Sequence, residues 1–281
     1  MKILVTGGAG FVGQALIKEL VKKHEVVSLD NYSIGSKKNH IEGATYVEGD
    51  INNISKLIEN DFDICFHLAA LSRIQPSFHD PSNTFVNNTF GVQNVLDWCR
   101  ENNTKCMYSG SSSRHNNPHI SHYALYKYIG EEICKMYKEV YKMNVEIVRF
   151  YNVYGPGEIL DGDWAAVIGL WRRQIRDNEP ITIVGDGLQR RDFTHIDDIV
   201  DGLIKISYTN IKHDDAWELG TGSNYSILEV AEMFKEKFNC DFKFLPKQKG
   251  NYKETLREND DTLIKIDWKT TGDLKKYIQT L

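Results

Sequence analysis

The sequence has no run of about 18 consecutive apolar residues, the length that a membrane-spanning helix needs. Its N-terminal MKILVTGGAG also lacks the long apolar stretch of a secretory signal. We therefore expect neither a membrane span nor a signal peptide. Repeats, low-complexity stretches and flexible linkers are absent too, so the 281 residues are expected to form one large domain or two joined ones.

Paired cysteines and an excess of basic charge are also missing. The five cysteines are widely spaced, with no CxxC pair and no nearby His pair of zinc-ligand spacing. We expect buried free thiols in a reducing cytoplasm and no metal site. The chain has 34 basic and 39 acidic residues, so no broad basic surface is available for nucleic acid. Any anionic ligand must then be bound by local cations.

What the sequence does contain is an alternation of short apolar strands and amphipathic helices. The predicted strands are 2–5, 25–30, 45–47, 64–68, 106–108, 146–150 and 181–184. The predicted helices are 84–101, 123–143 and 164–176, with further helices after His195 and after a capping box at Ser226. This alternation predicts βαβ units and a parallel sheet covered on both faces. After Tyr154 the loop-rich composition predicts a second, smaller lobe.

A glycine-rich turn joins the first strand to the first helix. Gly7, Gly10 and Gly13 have the spacing GxxGxxG, which lets backbone amides at a helix N-terminus approach a pyrophosphate. A glycine trio alone also fits a purely structural turn. Asp30 at the end of the second strand favours the cofactor interpretation, because its carboxylate can accept both hydroxyls of an adenosine ribose and would repel a 2′-phosphate. The pattern therefore favours NAD over NADP.

Tyr123 and Lys127 form the second candidate site. Positions i and i+4 of a helix share one face, so the ammonium is expected to lower the phenol pKa from its usual value of about 10. The phenol would then serve as a general acid or base. The same spacing occurs at Tyr208 and Lys212, where we predict only a helix end and a surface loop. The first copy alone follows a strand that ends in serines.

These motifs, which cover nearly the whole chain, resemble those of the extended short-chain dehydrogenase/reductases, in particular the nucleotide-sugar epimerase/dehydratase family. In the first half the similar elements are TGGAGFVG, Asp30, HLAA at 67–70, Asn88, the serines at 111–113, and Tyr123 with Lys127. In the second half they are RFYNVYGP at 149–156, VGDGLQRRDFTHIDD at 184–198, GTGSNYS at 220–226, and Arg257 followed by Asp260. Each motif is weak evidence alone, and the set is specific.

The resemblance implies an α/β fold, a Rossmann-type doubly wound parallel sheet with a smaller mixed α/β C-terminal substrate lobe. The NAD-binding domain would span 1–155 and the substrate-binding lobe 156–281, with part of 192–220 returning to the first domain. The resemblance also implies a homodimer paired through a four-helix interface, to which each subunit would contribute the helices near 84–101 and 123–143.

Site residues are carried over from the family motif by motif. The implied catalytic residues are Ser111, Tyr123 and Lys127. The implied cofactor-binding residues are Gly7, Gly10, Phe11, Val12, Asp30, Asn31, Asp50, Ile51, Leu68, Ala69, Ala70, Asn88, Tyr123 and Lys127. The implied substrate-binding residues are Ser111, Ser112, Asn152, Ala166, Val167, Arg191, Arg257 and Asp260. Two arginines suit a diphosphate, since each planar guanidinium can pair two oxygens.

The residues after Ser111 narrow the reaction. Family dehydratases carry an Asp-Glu pair there and family decarboxylases often a Glu, whereas this chain has Ser112 and Ser113. The resemblance then implies redox at one carbon: Tyr123 removes a sugar hydroxyl proton, NAD takes the hydride, and a transient 4-keto sugar receives it back on the other face. Lys127 would hold the nicotinamide ribose. A 4-ketoreductase of the same family and a non-catalytic NAD-binding sensor remain alternatives.

The candidate substrate is a UDP-hexose or a UDP-N-acetylhexosamine. The AAVI run at 165–168 is similar to 4-epimerases that accept UDP-N-acetylhexosamines, although an apolar run at a helix start is also typical of a core. Tyr123 follows Ser111 by only 12 positions, fewer than is usual in the family. We therefore expect an altered or more open sugar pocket.

Three histidines lie in or beside this short segment: His115, His119 and His122. The stretch between Ser111 and Tyr123 contains no carboxylate or thiolate to complete a metal site. We expect these side chains to be solvated or hydrogen-bonded.

Overall fold

The computed structural model describes residues 1–281 and contains one large parallel sheet and three two-stranded sheets. The strands are β1 (Lys2–Thr6), β2 (Glu25–Asp30), β3 (Ala44–Glu48), β4 (Ile64–His67), β5 (Lys105–Ser111), β6 (Val145–Phe150), β7 (Val153–Tyr154), β8 (Ile181–Val184), β9 (Arg190–Arg191), β10 (Thr194–His195), β11 (Trp217–Leu219), β12 (Tyr225–Ser226) and β13 (Phe242–Leu245). The large sheet has the order β11-β6-β5-β4-β1-β2-β3, and all its pairs are parallel. The Rossmann-type fold class is confirmed.

Helices cover both faces of this sheet. The α-helices are α1 (Phe11–Leu20), α2 (Ile54–Leu57), α3 (Ile74–His79), α4 (Pro81–Phe85), α5 (Gly91–Glu101), α6 (His122–Val140), α7 (Val167–Arg176), α8 (Ile196–Tyr208), α9 (Ile227–Phe238), α10 (Asp261–Ile266) and α11 (Leu274–Thr280). A π-helical turn at Val86–Phe90 joins α4 to α5. Short 3₁₀ helices occupy Lys37–Asn39, Ile51–Asn53, Ser112–His115 and Pro118–Ile120.

The strands are buried on both faces because successive side chains point in opposite directions. Leu4 and Cys65 belong to one hydrophobic core, whereas Ile3, Val5 and Phe66 belong to the other. Four of the five cysteines are buried and all five are free thiols, as the sequence predicted for most of them.

Two helices begin at places that periodicity did not predict. The helical run expected from Thr84 starts at Pro81, because the Asp80 side chain accepts the Asn83 amide and proline is well tolerated in the first turn. The helix expected from Trp164 starts at Val167 instead, since Ala166 has extended backbone angles.

The smaller lobe has its own core, built from α7, α9, α11 and the parallel pair β8 and β13. The segment after Asp192 contributes α8, which packs against α1, and β11, the edge strand next to β6. The domain boundary between residues 155 and 156 stays a prediction. No helix in the structure combines the length and apolar character that a bilayer crossing requires.

Candidate active site

A cavity of about 860 Å³ opens beyond the carboxyl ends of β1, β4 and β5 and continues into the smaller lobe. In a doubly wound sheet this edge is where ligands bind. The cavity is lined by most of the predicted site residues, namely Gly7, Gly10, Phe11, Val12, Asp30, Asn31, Ile51, Leu68, Ala69, Ala70, Ser111, Ser112, Tyr123, Lys127, Asn152, Ala166, Val167 and Arg191. Their predicted roles in binding and catalysis remain proposals.

The glycine turn is shaped to cradle a ligand. Gly7 has φ +73°, and a Cβ there would lie 2.7 Å from the backbone nitrogen of Ala69. A Cβ at Gly10 would meet only the Gly7 carbonyl oxygen at 3.2 Å, so the other side of Gly10 is open. Both glycines line the cavity, directly before the N-terminus of α1. The turn therefore fits a dinucleotide pyrophosphate.

Asp30 is held rigidly at the end of β2. Its carboxylate accepts the backbone amides of Ala9 at 2.9 Å and Tyr32 at 2.8 Å. Asp30 lines the cavity, and each of its carboxylate oxygens keeps a further lone pair that can accept a ribose hydroxyl. Lys37, a cation in the loop after β2, is paired with Glu48 at 2.6 Å.

Ser111 and Tyr123 are brought together by β5 and α6. Ser111 is the last residue of β5, and α6 begins where the Ser121 side chain caps the amide of Ala124. The Tyr123 hydroxyl donates a hydrogen bond to Ser111 Oγ at 3.3 Å. A phenol and a serine hydroxyl at this distance can share the oxygen of one bound alcohol.

Lys127 lies on the same helix but is engaged elsewhere. Its Nζ donates to the Ser109 carbonyl oxygen at 2.8 Å and lies 5.0 Å from the centre of the Tyr108 ring. Burial lowers the pKa of Lys127 to about 8. The expected lowering of the Tyr123 pKa is not found: burial raises that pKa, and the groups that oppose the rise are Ser111 and the charge of Arg73.

Two predicted cofactor residues do not line the cavity. The Asn88 side chain is buried and forms both its hydrogen bonds with the backbone of Leu71, at 2.8 Å each. The Asp50 carboxylate accepts hydrogen bonds from the side chain of Asn31 and the amide of Asn52. Both residues therefore position loops beside the cavity, and their direct contact with a cofactor stays a prediction.

The predicted diphosphate arginines differ in their surroundings. Arg191 lines the cavity, forms no salt bridge, and has a pKa lowered to about 10 by burial. Arg257 instead lines a neighbouring cavity, donating to the Gly220 carbonyl at 2.7 Å and pairing with Asp260 at 2.5 Å. Arg191 is thus free to bind an anion, whereas Arg257 would first have to leave its present partners.

Among the cavity residues that sequence reasoning missed are Arg73 and Tyr252. Tyr252 is 8% exposed, and its hydroxyl has no hydrogen-bond partner. Arg73 is half-buried on the loop after β4. No periodic pattern or spacing marks either residue. Gly250, two residues before Tyr252, is the one local sign in the sequence, because a glycine can mark a place where the chain passes close to another segment.

The short segment between Ser111 and Tyr123 is packed against a loop that is distant in the sequence. The chain near Gly250 packs against it, where a Cβ would lie 2.8 Å from Ile74 Cγ2 and 3.2 Å from the Ile120 carbonyl oxygen. Gln75 also donates to the carbonyl of Lys249 at 2.8 Å. A distant loop therefore packs against this segment, and the expectation of an altered or more open sugar pocket stays a prediction.

The histidines of this segment are placed as expected. His115 bonds both Glu218 at 2.5 Å and Glu258 at 3.1 Å, which ties the segment to the loop that carries Arg257. His119 is exposed, and His122 contacts the hydroxyl of Tyr126 at 3.4 Å.

The parallel sheet, the glycine cradle and the carboxylate at the end of β2 define a dinucleotide-binding α/β protein. A model of the NAD dependent epimerase/dehydratase family matches residues 3–220. The chain therefore belongs to that family.

Individual relatives are similar over most of their length. The chain is 29% identical to YtcB of Bacillus subtilis strain 168, an uncharacterized UDP-glucose epimerase, over 84% of this chain and 82% of YtcB. Pal from Bacillus thuringiensis has a TM-score of 0.94 at 29% identity, with 99% of this chain and 96% of Pal covered. A UDP-N-acetylglucosamine 4-epimerase from Methanobrevibacter ruminantium M1, solved with UDP-N-acetylmuramic acid, has a TM-score of 0.88 at 27% identity, with 99% and 96% covered.

Proposed function

We propose that the chain is an NAD-dependent nucleotide-sugar 4-epimerase acting on a UDP-hexose or a UDP-N-acetylhexosamine. The observation that carries the proposal is the single cavity that contains the dinucleotide cradle, the hydrogen-bonded Ser111 and Tyr123, and the unpaired Arg191. Serines, not carboxylates, stand at 112 and 113, which disfavours elimination of water. Inversion at one carbon requires only proton transfer and reversible redox there.

In this proposal Tyr123 acts on the proton of the sugar hydroxyl. The phenol oxygen takes the proton as the alcohol is oxidised and returns it when the ketone is reduced. Ser111 Oγ, 3.3 Å from that phenol, holds the reacting oxygen. Arg191 binds the diphosphate, and Asn152, which also lines the cavity, is proposed to contact the substrate as well. Ala166 and Val167 line the same wall and are proposed to contact the nucleotide end of the substrate.

The proposed cofactor is NAD, held by the glycine turn, Asp30 and the Leu68–Ala70 segment. When bound, it would accept a hydride from the sugar and give it back. Its cationic ring would also favour the phenolate form of Tyr123, whose pKa burial raises.

The test is conversion of nucleotide sugars without added cofactor. We expect the purified protein to retain NAD and to interconvert a UDP-sugar with its C4 epimer, seen by NMR of the products. If no UDP-, dTDP-, GDP- or CDP-sugar is converted by the NAD-loaded protein, the proposal fails. Consumption of one reduced cofactor per keto-sugar would instead identify the 4-ketoreductase.

We further propose a homodimer paired through α5, with the turn before it, and α6. Large apolar side chains are exposed on this face: Phe85 at the end of α4 is 44% exposed and Phe90 at the end of the turn 49%, while Met136 and Val140 on α6 are 42% and 61% exposed. Such residues, on the helical segment that leads into α5 and on the adjacent α6, suit burial against a second copy in a four-helix arrangement.

A charge placed on this face tests the dimer. We expect the wild-type protein to have twice the 32.3 kDa chain mass in light scattering, and Phe90→Glu to have the single mass, because a carboxylate is costly to bury. Phe244→Glu, at a side chain 55% exposed on the smaller lobe, is the matched control and should stay dimeric. A monomeric wild-type protein would contradict the proposal.

The compartment we propose is the cytoplasm. All five cysteines are free, and four of them are buried. Unpaired thiols are typical of proteins kept in a reducing environment.

A further inference from the structure

Arg73 presents two free guanidinium nitrogens to the cavity that contains Ser111 and Tyr123. Its Nε donates to the Trp164 carbonyl oxygen at 2.9 Å, which orients the guanidinium. This is the only hydrogen bond that the side chain forms. Nη1 and Nη2 have no acceptor in the protein, and neither is sealed from the cavity. Two parallel donors are therefore available to a ligand.

No carboxylate of the protein neutralises this cation. Arg73 forms no salt bridge, and the charge of Glu158, which does reach it, is already paired with Arg172 at 2.9 Å. Burial lowers the pKa of Arg73, which reflects the cost of holding an unpaired charge in the protein. An unpaired guanidinium inside a binding cavity would be stabilised by an anionic group of a bound ligand.

In the proposed function the substrate diphosphate already has its own cation, Arg191, which also lines the cavity without a salt bridge. Arg73 lines the same cavity as Tyr123, and its charge acts on that phenol, the group proposed to act on the sugar hydroxyl. Arg73 therefore supplies a positive charge at the end of the cavity where Tyr123 is proposed to act. In the proposed function the sugar lies at this end, beside Ser111 and Tyr123.

We propose that Arg73 binds a carboxylate carried by the sugar, so that the preferred substrate is an acidic nucleotide sugar. This inference rests on the proposed function, which places a nucleotide sugar in the cavity. The two terminal nitrogens of a guanidinium match the two oxygens of a carboxylate, and the pairing would be enclosed by the cavity walls. A neutral sugar would leave the cation without a partner.

Binding to a Tyr123→Phe background, which separates affinity from turnover, tests this directly. Calorimetry with the NAD-loaded protein would compare two matched pairs: UDP-glucuronate with UDP-glucose, and UDP-N-acetylmuramate with UDP-N-acetylglucosamine. The first pair places the carboxylate at C6 and the second on a C3 substituent. We expect one acid to bind at least about 10-fold more tightly than its neutral partner, and Arg73→Gln to weaken that acid by about 30-fold or more.

The controls separate the carboxylate site from general damage. Arg73→Gln should change the affinity for UDP and for the neutral sugars by no more than about threefold, and Arg73→Lys should restore part of the preference for the acid. Arg176→Gln, at an exposed arginine paired with Asp161, should change nothing. The proposal is overturned if neither acid is preferred, or if Arg73→Gln weakens acid and neutral sugar alike. A preference for the acid without any epimerisation would refute the reaction assigned above and leave this site standing.

Discussion

Replacing Tyr123 by Phe is expected to lower kcat for epimerisation by about 10²- to 10⁴-fold, the usual contribution of a general acid or base. Phe keeps the ring that fills the space and removes only the hydroxyl that bonds Ser111 at 3.3 Å. No other phenol in the cavity is placed to replace it, because Tyr123 alone donates a hydrogen bond to Ser111. Rates of product formation by NMR check the effect.

The second Tyr-xxx-Lys copy supplies the matched control. Tyr208 is 46% exposed at the end of α8 and bonds His24 on the surface, as the sequence predicted for a helix end. Tyr208→Phe should leave kcat unchanged, and both variants should keep their bound NAD. A Tyr123→Phe protein with full turnover would rule out the proposed role of this phenol. Its loss of turnover with NAD retained would exclude a non-catalytic sensor.

Replacing Arg149 by Met is expected to lower the free energy of unfolding by about 3–5 kcal/mol, the cost of leaving buried charges unpaired. Arg149 is 1% exposed on β6. Its guanidinium pairs with Glu131 at 2.9 Å, Asp215 at 2.8 Å and Glu218 at 3.3 Å. Glu131 and Glu218 are themselves buried, so they would keep their desolvation cost without their cation. Denaturant unfolding monitored by circular dichroism measures the difference.

Removing Glu131 together with Arg149 tests whether the unpaired buried charge is the cause of the lost stability. Glu131→Leu combined with Arg149→Met should recover part of the stability, since the double variant leaves one buried charge fewer. Arg100→Met is the surface control: Arg100 forms only exposed pairs with Asp97 and Glu101, and the variant should lose less than about 1 kcal/mol. A loss below about 1 kcal/mol for Arg149→Met itself would show that the cluster tolerates an unpaired carboxylate.

The cofactor end of the cavity was largely predictable from the sequence. β2 occupies the predicted residues 25–30, and Asp30 ends it. Gly7 and Gly10 lie in one continuous strand-turn-helix segment, so their spacing in the sequence was enough to predict the turn. Tyr123 and Lys127 were correctly placed on one helix, because helical periodicity is a local property.

The sugar end was not predictable. Arg73, Trp164 and Tyr252 come from three loops far apart in the chain, and no spacing rule connects them. The direction of the Lys127 amine was missed for the same reason, since its acceptor, the Ser109 carbonyl, belongs to a neighbouring strand. The direction in which a side chain on a helix face points depends on the hydrogen-bond partners that neighbouring elements provide.

By itself, therefore, the sequence determined the α/β fold, the family and the cofactor cradle. Those features depend on residues close in the chain, whose periodicity and spacing carry the information. Only the tertiary structure decided which cations stay unpaired, that Arg257 is engaged with Asp260, and that the loop at Gly250 covers the short segment before Tyr123. Burial and pairing of charges arise when distant segments exclude water together, and a linear pattern does not record which segments those will be.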